Sequence, residues 1–208
     1  VKEKTNSENI DIVECKLDDS WMRDIAPIFY SENKKLKSIN FEFNGYGKYP
    51  NYYNDNNVSK FINNYLKIST KVSDLVIEGG AIAYDDKKNL FSTKNVIFNK
   101  NRKQKHNSEY IIKELKLLFD LNYIFLFENG LMEDDTDGHV DNLLCPIGEN
   151  KYLIATTHKL DPNFQILEKN KADLIKFFKD TNQKFNLIEV PLPTRKKLDN
   201  KNIISSYI

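Results

Sequence analysis

Cysteine is nearly missing from this 208-residue chain: Cys15 and Cys145 are the only two, too few for a disulfide framework. That usage fits a reducing compartment, so a cytoplasmic location is expected. Excess charge of either sign is missing too. The 31 basic residues balance 30 acidic ones, and a net charge of +1 excludes a strongly basic nucleic-acid binder or an acidic solvating tail. No apolar run approaches the roughly 18 to 20 residues a membrane helix needs. No charged-then-apolar signal opens the chain. Neither a nucleic-acid nor a membrane partner is therefore expected. What is present can fold: 13 Phe and 11 Tyr sit in a chain that is 40% hydrophobic. Its length suffices to bury roughly two-thirds of the unfolded surface, as a single domain over residues 1–208. The chain opens on Val1 and stops at Ile208 just after an apolar step, so both ends are read as cut.

Short β-like runs alternate with amphipathic helices. Ile10–Val13, 38–43, Leu75–Ile77, Tyr123–Phe127, Tyr152–Ala155 and Leu187–Val190 read as strands. One helix is expected after Ser59, a candidate N-cap, with Phe61, Ile62, Tyr65 and Leu66 on its apolar face. A second follows Ser108, with Ile111, Ile112, Leu115, Leu118 and Phe119 as its stripe. A third begins at Asp161-Pro162 and carries Ile166, Leu167, Leu174, Ile175 and Phe178. The Asn-rich stretch 51–57 reads as a solvated loop.

Polar clusters recur with a similar period. Trp21-Met22-Arg23-Asp24 is followed about 55 residues later by Glu78-Gly79-Gly80, and about 60 after that by Asp137-Gly138-His139-Val140-Asp141. One helix lies in each interval. The repeat predicts an α/β architecture of similar modules, each ending in a polar loop that converges on one site.

Three chemistries compete for the segment 133–142. An EF-hand loop matches Glu133, Asp135, Asp137 and Gly138, but its twelfth position, which needs a bidentate Glu, is Leu144. A zinc site could use His139 and Asp141 from one face of a strand, yet no further His or Glu stands close by, and His106 and His158 read as surface residues. The third reading makes His139 an acid–base residue inside a cage of carboxylates from Asp24, Glu78 and Asp141. Several carboxylates around one pocket repel each other unless a cation sits among them. A guanidinium pairs with them through its planar fork, each charge-assisted bond contributing roughly 1.5 to 3 kcal/mol. Taken singly, each acid is more often a cap or a solvated charge and the His more often structural. The repeated spacing favours the joint reading.

Here the motifs resemble a known family. Asp19-Ser20-Trp21-Met22-Arg23-Asp24-Ile25-Ala26-Pro27 is similar to the Trp-x-Arg-Asp-x-x-Pro segment of the agmatine deiminases, a family that includes the bacterial, Porphyromonas-type peptidylarginine deiminases. Phe43–Pro50 resembles the next family segment, with Tyr46 where an indole is usual. Glu78-Gly79-Gly80, Asn99-Lys100-Asn101-Arg102 and Asp134–Asn142 follow in the family order.

The resemblance implies a five-bladed pseudo-symmetric α/β propeller, a pentein, of which this chain covers about three modules. By similarity, Asp24 and Asp141 bind the guanidinium nitrogens, Glu78 and His139 handle proton transfer, and Trp21 walls the pocket. The implied reaction takes agmatine to N-carbamoylputrescine and ammonia through a covalent cysteine intermediate, with no metal and no organic cofactor. A homo-oligomer is also expected. The family's Gly-rich cysteine segment has no counterpart here, so the nucleophile is expected to be absent. Cys145 lies six residues beyond His139 on the same apparent strand, and Cys15 within a strand, both as small core residues. Alternatives are a peptidylarginine or arginine deiminase, or a non-catalytic remnant of a truncated gene.

Overall fold

A computed structural model describes residues 10–193 together with 196–198 and 201–203. The readings at Val1 and at Ile208 lie outside the described residues. Three times the chain runs through the same order: one short helical turn, an antiparallel hairpin, a helix, and a strand laid parallel to the hairpin's second arm. In the first module the turn Met22–Ile25 precedes β1 (Ile28–Glu32), β2 (Lys35–Glu42), helix α1 (Tyr53–Leu66) and β3 (Ser69–Val76). The second has the turn Gly79–Ala81, β4 (Ala83–Tyr84), β5 (Asn89–Thr93), α2 (Ser108–Phe119) and β6 (Tyr123–Phe127). The third has Val140–Asn142, β7 (Leu144–Gly148), β8 (Lys151–Thr156), α3 (Phe164–Asp180) and β9 (Asn186–Pro191). A small hairpin, β10 (Lys196–Leu198) and β11 (Lys201–Ile203), follows.

Each module is a three-stranded sheet in sequence order. Its parallel pair needs a long crossover, which the helix supplies. Ile39 faces Lys71 across β2–β3, Leu90 faces Ile124 across β5–β6, and Ile154 faces Glu189 across β8–β9. Apolar layers fill the gaps between sheets. Ile39, Leu75, Leu90, Ile97, Ile111 and Leu115 join the first two modules. Phe91, Phe127, Tyr152, Leu167, Leu174 and Phe178 join the second and third. Within that layer the Tyr152 hydroxyl donates to buried Asp85 at 2.7 Å, and Asn89 donates to the same carboxylate. The α/β class and the threefold repeat agree with the sequence reading. The polar cluster, however, opens each module instead of ending it.

Local details depart from expectation. Residues 10–13 form no strand. The stretch 51–57 is largely the start of α1, which begins at Tyr53, so Ser59 is an interior helix residue and not its cap. Phe61, Tyr65 and Leu66 are exposed. The inner face of α1 is Asp55, Val58, Ser59 and Asn63. These polar groups are buried because distant backbone and side chains complete them. Asp55 accepts the backbone N–H groups of Asp18 and Asp19, Ser59 donates to the carbonyl of Ile25, and Asn63 accepts from Ser38. Asn107, not Ser108, caps α2 by accepting from the Tyr110 N–H. Helix α3 begins at Phe164, because Asp161 spends its carboxylate on the N–H of Asn163 in the preceding turn.

Candidate active site

The three opening turns meet. Asp24 lies on the first, Glu78 immediately before the second, His139 immediately before the third and Asp141 on it. All four are at most 6% exposed. His139 Nδ1 lies 3.5 Å from Asp24 Oδ1, and its Nε2 lies 3.4 Å from Glu78 Oε2 without hydrogen-bond geometry. The structure thus brings together the four side chains named from sequence, although about 55 to 60 residues separate their turns.

Glycine makes this approach possible. A Cβ built on Gly80 would stand 2.6 Å from Asp141 Oδ2, 2.6 Å from His139 Nδ1 and 2.7 Å from Asp24 Oδ1. At Gly79 it would meet the carbonyl of Arg23 at 2.1 Å. Gly80 also donates its N–H to Asp24 Oδ1 at 2.9 Å, while the Tyr46 hydroxyl donates to Oδ2 at 2.7 Å. Asp24 is therefore held from both sides.

The loop carrying His139 is organised by Asp134. Its carboxylate accepts from the Thr136 N–H and hydroxyl, the His139 N–H and the Asn142 amide. His139 and Asp141 belong to a tight turn, not to the strand expected from their spacing; β7 starts only at Leu144. The zinc reading therefore loses its shared strand face. The calcium reading loses a ligand, since Asp137 is engaged by Lys48 and Arg102. Asp137 adopts φ +68°, and those two cations fix it there.

Asp141 differs from its neighbours. Neither of its buried oxygens has a hydrogen-bond partner, and Arg23 Nε stands 3.6 Å from Oδ2. Burial pushes its carboxyl up to about 6; His139 and Arg23 pull the other way, and the Asp24 charge adds to the rise. Burial lowers the affinity of His139 for its proton, but Glu78 and Asp24 outweigh it and raise the imidazole above its ordinary range. For Glu78, burial is likewise outweighed, by His139 and by the Arg102 charge, so its carboxyl lies below the ordinary range.

Trp21 is half exposed beside the Asp24 turn. Cys15 and Cys145 are both free and partly buried. Cys15 packs beside the cluster of Ile25, Phe43, Tyr46 and Val58, in irregular chain and not in the strand expected for it. Cys145 lies on β7, with its sulfur near the carbonyl of Pro146. Sequence reasoning gave no role to Arg102 or to Gly80. Arg102 closes the Asn-x-Asn-Arg motif and Gly80 the Glu-Gly-Gly turn, so both were visible as residues while their contacts were not.

Residues 1–208 match the Porphyromonas-type peptidyl-arginine deiminases. Agmatine deiminase of Pseudomonas aeruginosa is 31% identical over 164 residues, which cover 75% of this chain and 45% of that protein. Agmatine deiminase of Medicago truncatula is 30% identical over 203 residues, covering 89% and 54% respectively. The fold superposes on a C. jejuni agmatine deiminase variant with substrate bound at a TM-score of 0.85 and 29% identity, covering 96% of this chain and 59% of that one. The chain spans about half the length of the curated relatives it matches. With the motifs in family order and the three modules superposing on a deiminase fold, this chain belongs to the Porphyromonas-type peptidyl-arginine deiminase family.

Proposed function

We propose that this chain supplies the cation-binding and acid–base half of a guanidino-group hydrolase, with agmatine as substrate and N-carbamoylputrescine and ammonia as products. The observation that carries the reading is Asp141, a buried carboxylate with no hydrogen-bond donor at either oxygen. A planar, forked cation is the ligand such a group lacks. Asp24, braced by Gly80 and Tyr46, supplies the second carboxylate, and Trp21 the wall beside it. His139, backed by Glu78, carries the proton that departs with ammonia and later takes one from the attacking water.

The nucleophile is a cysteine other than Cys15 and Cys145, attacking the guanidinium carbon to give an amidine thioether that water opens. In this reading further modules complete a five-bladed ring in a cytoplasmic protein. The names of the relatives favour agmatine over arginine or peptidylarginine, which differ at the far end of the substrate. Rates of ammonia release from the protein with its cysteine segment, on agmatine, free arginine and an arginyl peptide, test the choice. Fastest turnover of agmatine is expected; a preference for either of the others overturns it. The 208-residue chain alone is expected to bind agmatine weakly and release no ammonia, and measurable turnover by it would refute the missing nucleophile.

Binding should follow the charge of Asp141. An acid whose affinity for its proton is raised is neutral below its titration point and attracts no cation there. Agmatine affinity should rise between pH 5 and pH 7, by about tenfold per unit below the Asp141 midpoint of about 6. Calorimetric titrations at the two pH values check this, with Asp141→Asn as the variant that flattens the profile. Equal affinity at both would remove Asp141 from the binding site.

A further inference from the structure

Arg102 is the largest wholly buried side chain among the described residues, at 0% exposure. Its five N–H donors meet five acceptors. Nε donates to Glu78 Oε1 at 2.9 Å and Nη2 approaches Oε2 at 3.4 Å. Nη1 donates to the Tyr46 carbonyl at 3.1 Å and to the Asp137 carboxylate, and Nη2 to the Thr136 carbonyl at 2.6 Å. Its own carbonyl accepts from the Asn44 amide, and its guanidinium lies 5.7 Å from the centre of the Tyr46 ring. A guanidinium so saturated has no freedom to turn.

The contacts form a line of alternating charge. Half-exposed Lys48 pairs with Asp137 at 2.6 Å, Asp137 with Arg102, Arg102 with Glu78, and Glu78 faces His139. Glu78 has no exposure at all, so its direction is set entirely by Arg102 on one side and His139 on the other. We propose that Arg102 is a positioning residue of the deiminase site: from behind, it clamps both oxygens of Glu78, and so fixes the Nε2 side of His139 while the Nδ1 side is left to face Asp24. The proposal rests on the functional reading above and deepens it. A buried ion pair adds little net stability over an apolar pair of the same shape, which leaves orientation and charge control as what this arrangement gains.

The charge follows from the geometry. Glu78 faces Arg102 on the turn Lys100–Arg102 and His139 beside the third turn. His139 is faced by Glu78, by Asp24 from the first turn, by Asp141 from its own turn, and by the Tyr46 ring at 5.9 Å. Without Arg102, Glu78 would be a buried carboxylate with only His139 as a cation, and it would take up a proton more readily.

Carboxyl-13C-glutamate NMR of the chain reads this directly, the Glu78 signal being identified by its loss in Glu78→Gln. In the unaltered chain Glu78 should stay ionised to below the usual carboxylate range. In Arg102→Gln its midpoint should rise by at least about one pH unit, and Arg102→Lys should restore less than the whole difference. A folded Arg102→Gln chain with an unmoved midpoint overturns the proposal. If that variant fails to fold, Arg102→Lys decides: a midpoint equal to the parent's overturns it. An ordinary midpoint in the parent overturns it outright. None of these readouts needs a guanidine, so failed agmatine binding with the expected titrations would reject the functional reading and leave the clamp standing.

Discussion

Gly80→Ala is expected to abolish agmatine binding in a chain that still folds. The added methyl would enter a space already bounded by Asp141 Oδ2, His139 Nδ1 and Asp24 Oδ1, all within 2.7 Å of its carbon. Real Cβ atoms do not approach heavy atoms so closely. All three belong to buried side chains, at most 6% exposed, with little room to swing away. Asp24 is held by the Gly80 N–H and the Tyr46 hydroxyl, His139 is flanked by Glu78, and Asp141 sits on the tight turn Val140–Asn142. The methyl therefore pushes the carboxylates apart or moves the Gly79–Ala81 turn. Overpacking of this kind costs roughly 1 to 3 kcal/mol of stability. A displacement near 1 Å at a charge-reading site costs on the order of 100-fold in function. Calorimetry with agmatine and a thermal melt separate the two effects. Parent-like affinity in Gly80→Ala would show that the three groups do not share one ligand.

Glu78→Ala should be the most destabilising single change at the site. It leaves Arg102 at 0% exposure with one carboxylate, Asp137, and two carbonyls. Removing one partner of a buried pair typically costs about 3 to 5 kcal/mol, because the other charge stays buried and loses compensation. For a chain of this length that corresponds to a melting temperature lower by roughly 6 to 20 °C. Chemical denaturation of Glu78→Ala, Arg102→Met and the double variant tests the coupling. The double variant should be more stable than the two losses summed, and simple additivity would mean the pair is not energetically linked.

The polar turns and the acids they carry were legible because each motif is local. Asp24 stands three residues from Trp21, Gly80 two from Glu78, and Asp141 two from His139. Helices α2 and α3 were legible for the same reason. Their buried Ile111 and Leu115, and their buried Leu167, Leu174 and Phe178, follow helical period. Helix α1 was misread because apolar spacing stood in for burial. Its inner face is polar, completed by Asp18, Asp19, Ile25 and Ser38, none of which adjoins it in sequence.

The amino-acid sequence alone determined which residues are available for chemistry, the threefold order of modules and the family motifs, since all of these are patterns within short stretches of chain. The tertiary structure decided that Asp24, His139 and Asp141 converge beside Gly80, that Glu78 faces the other nitrogen of His139, and that Arg102 clamps Glu78. Those facts depend on distances between segments dozens of residues apart. Burial and electrostatic pairing act through space, and only packing the modules against one another sets such distances.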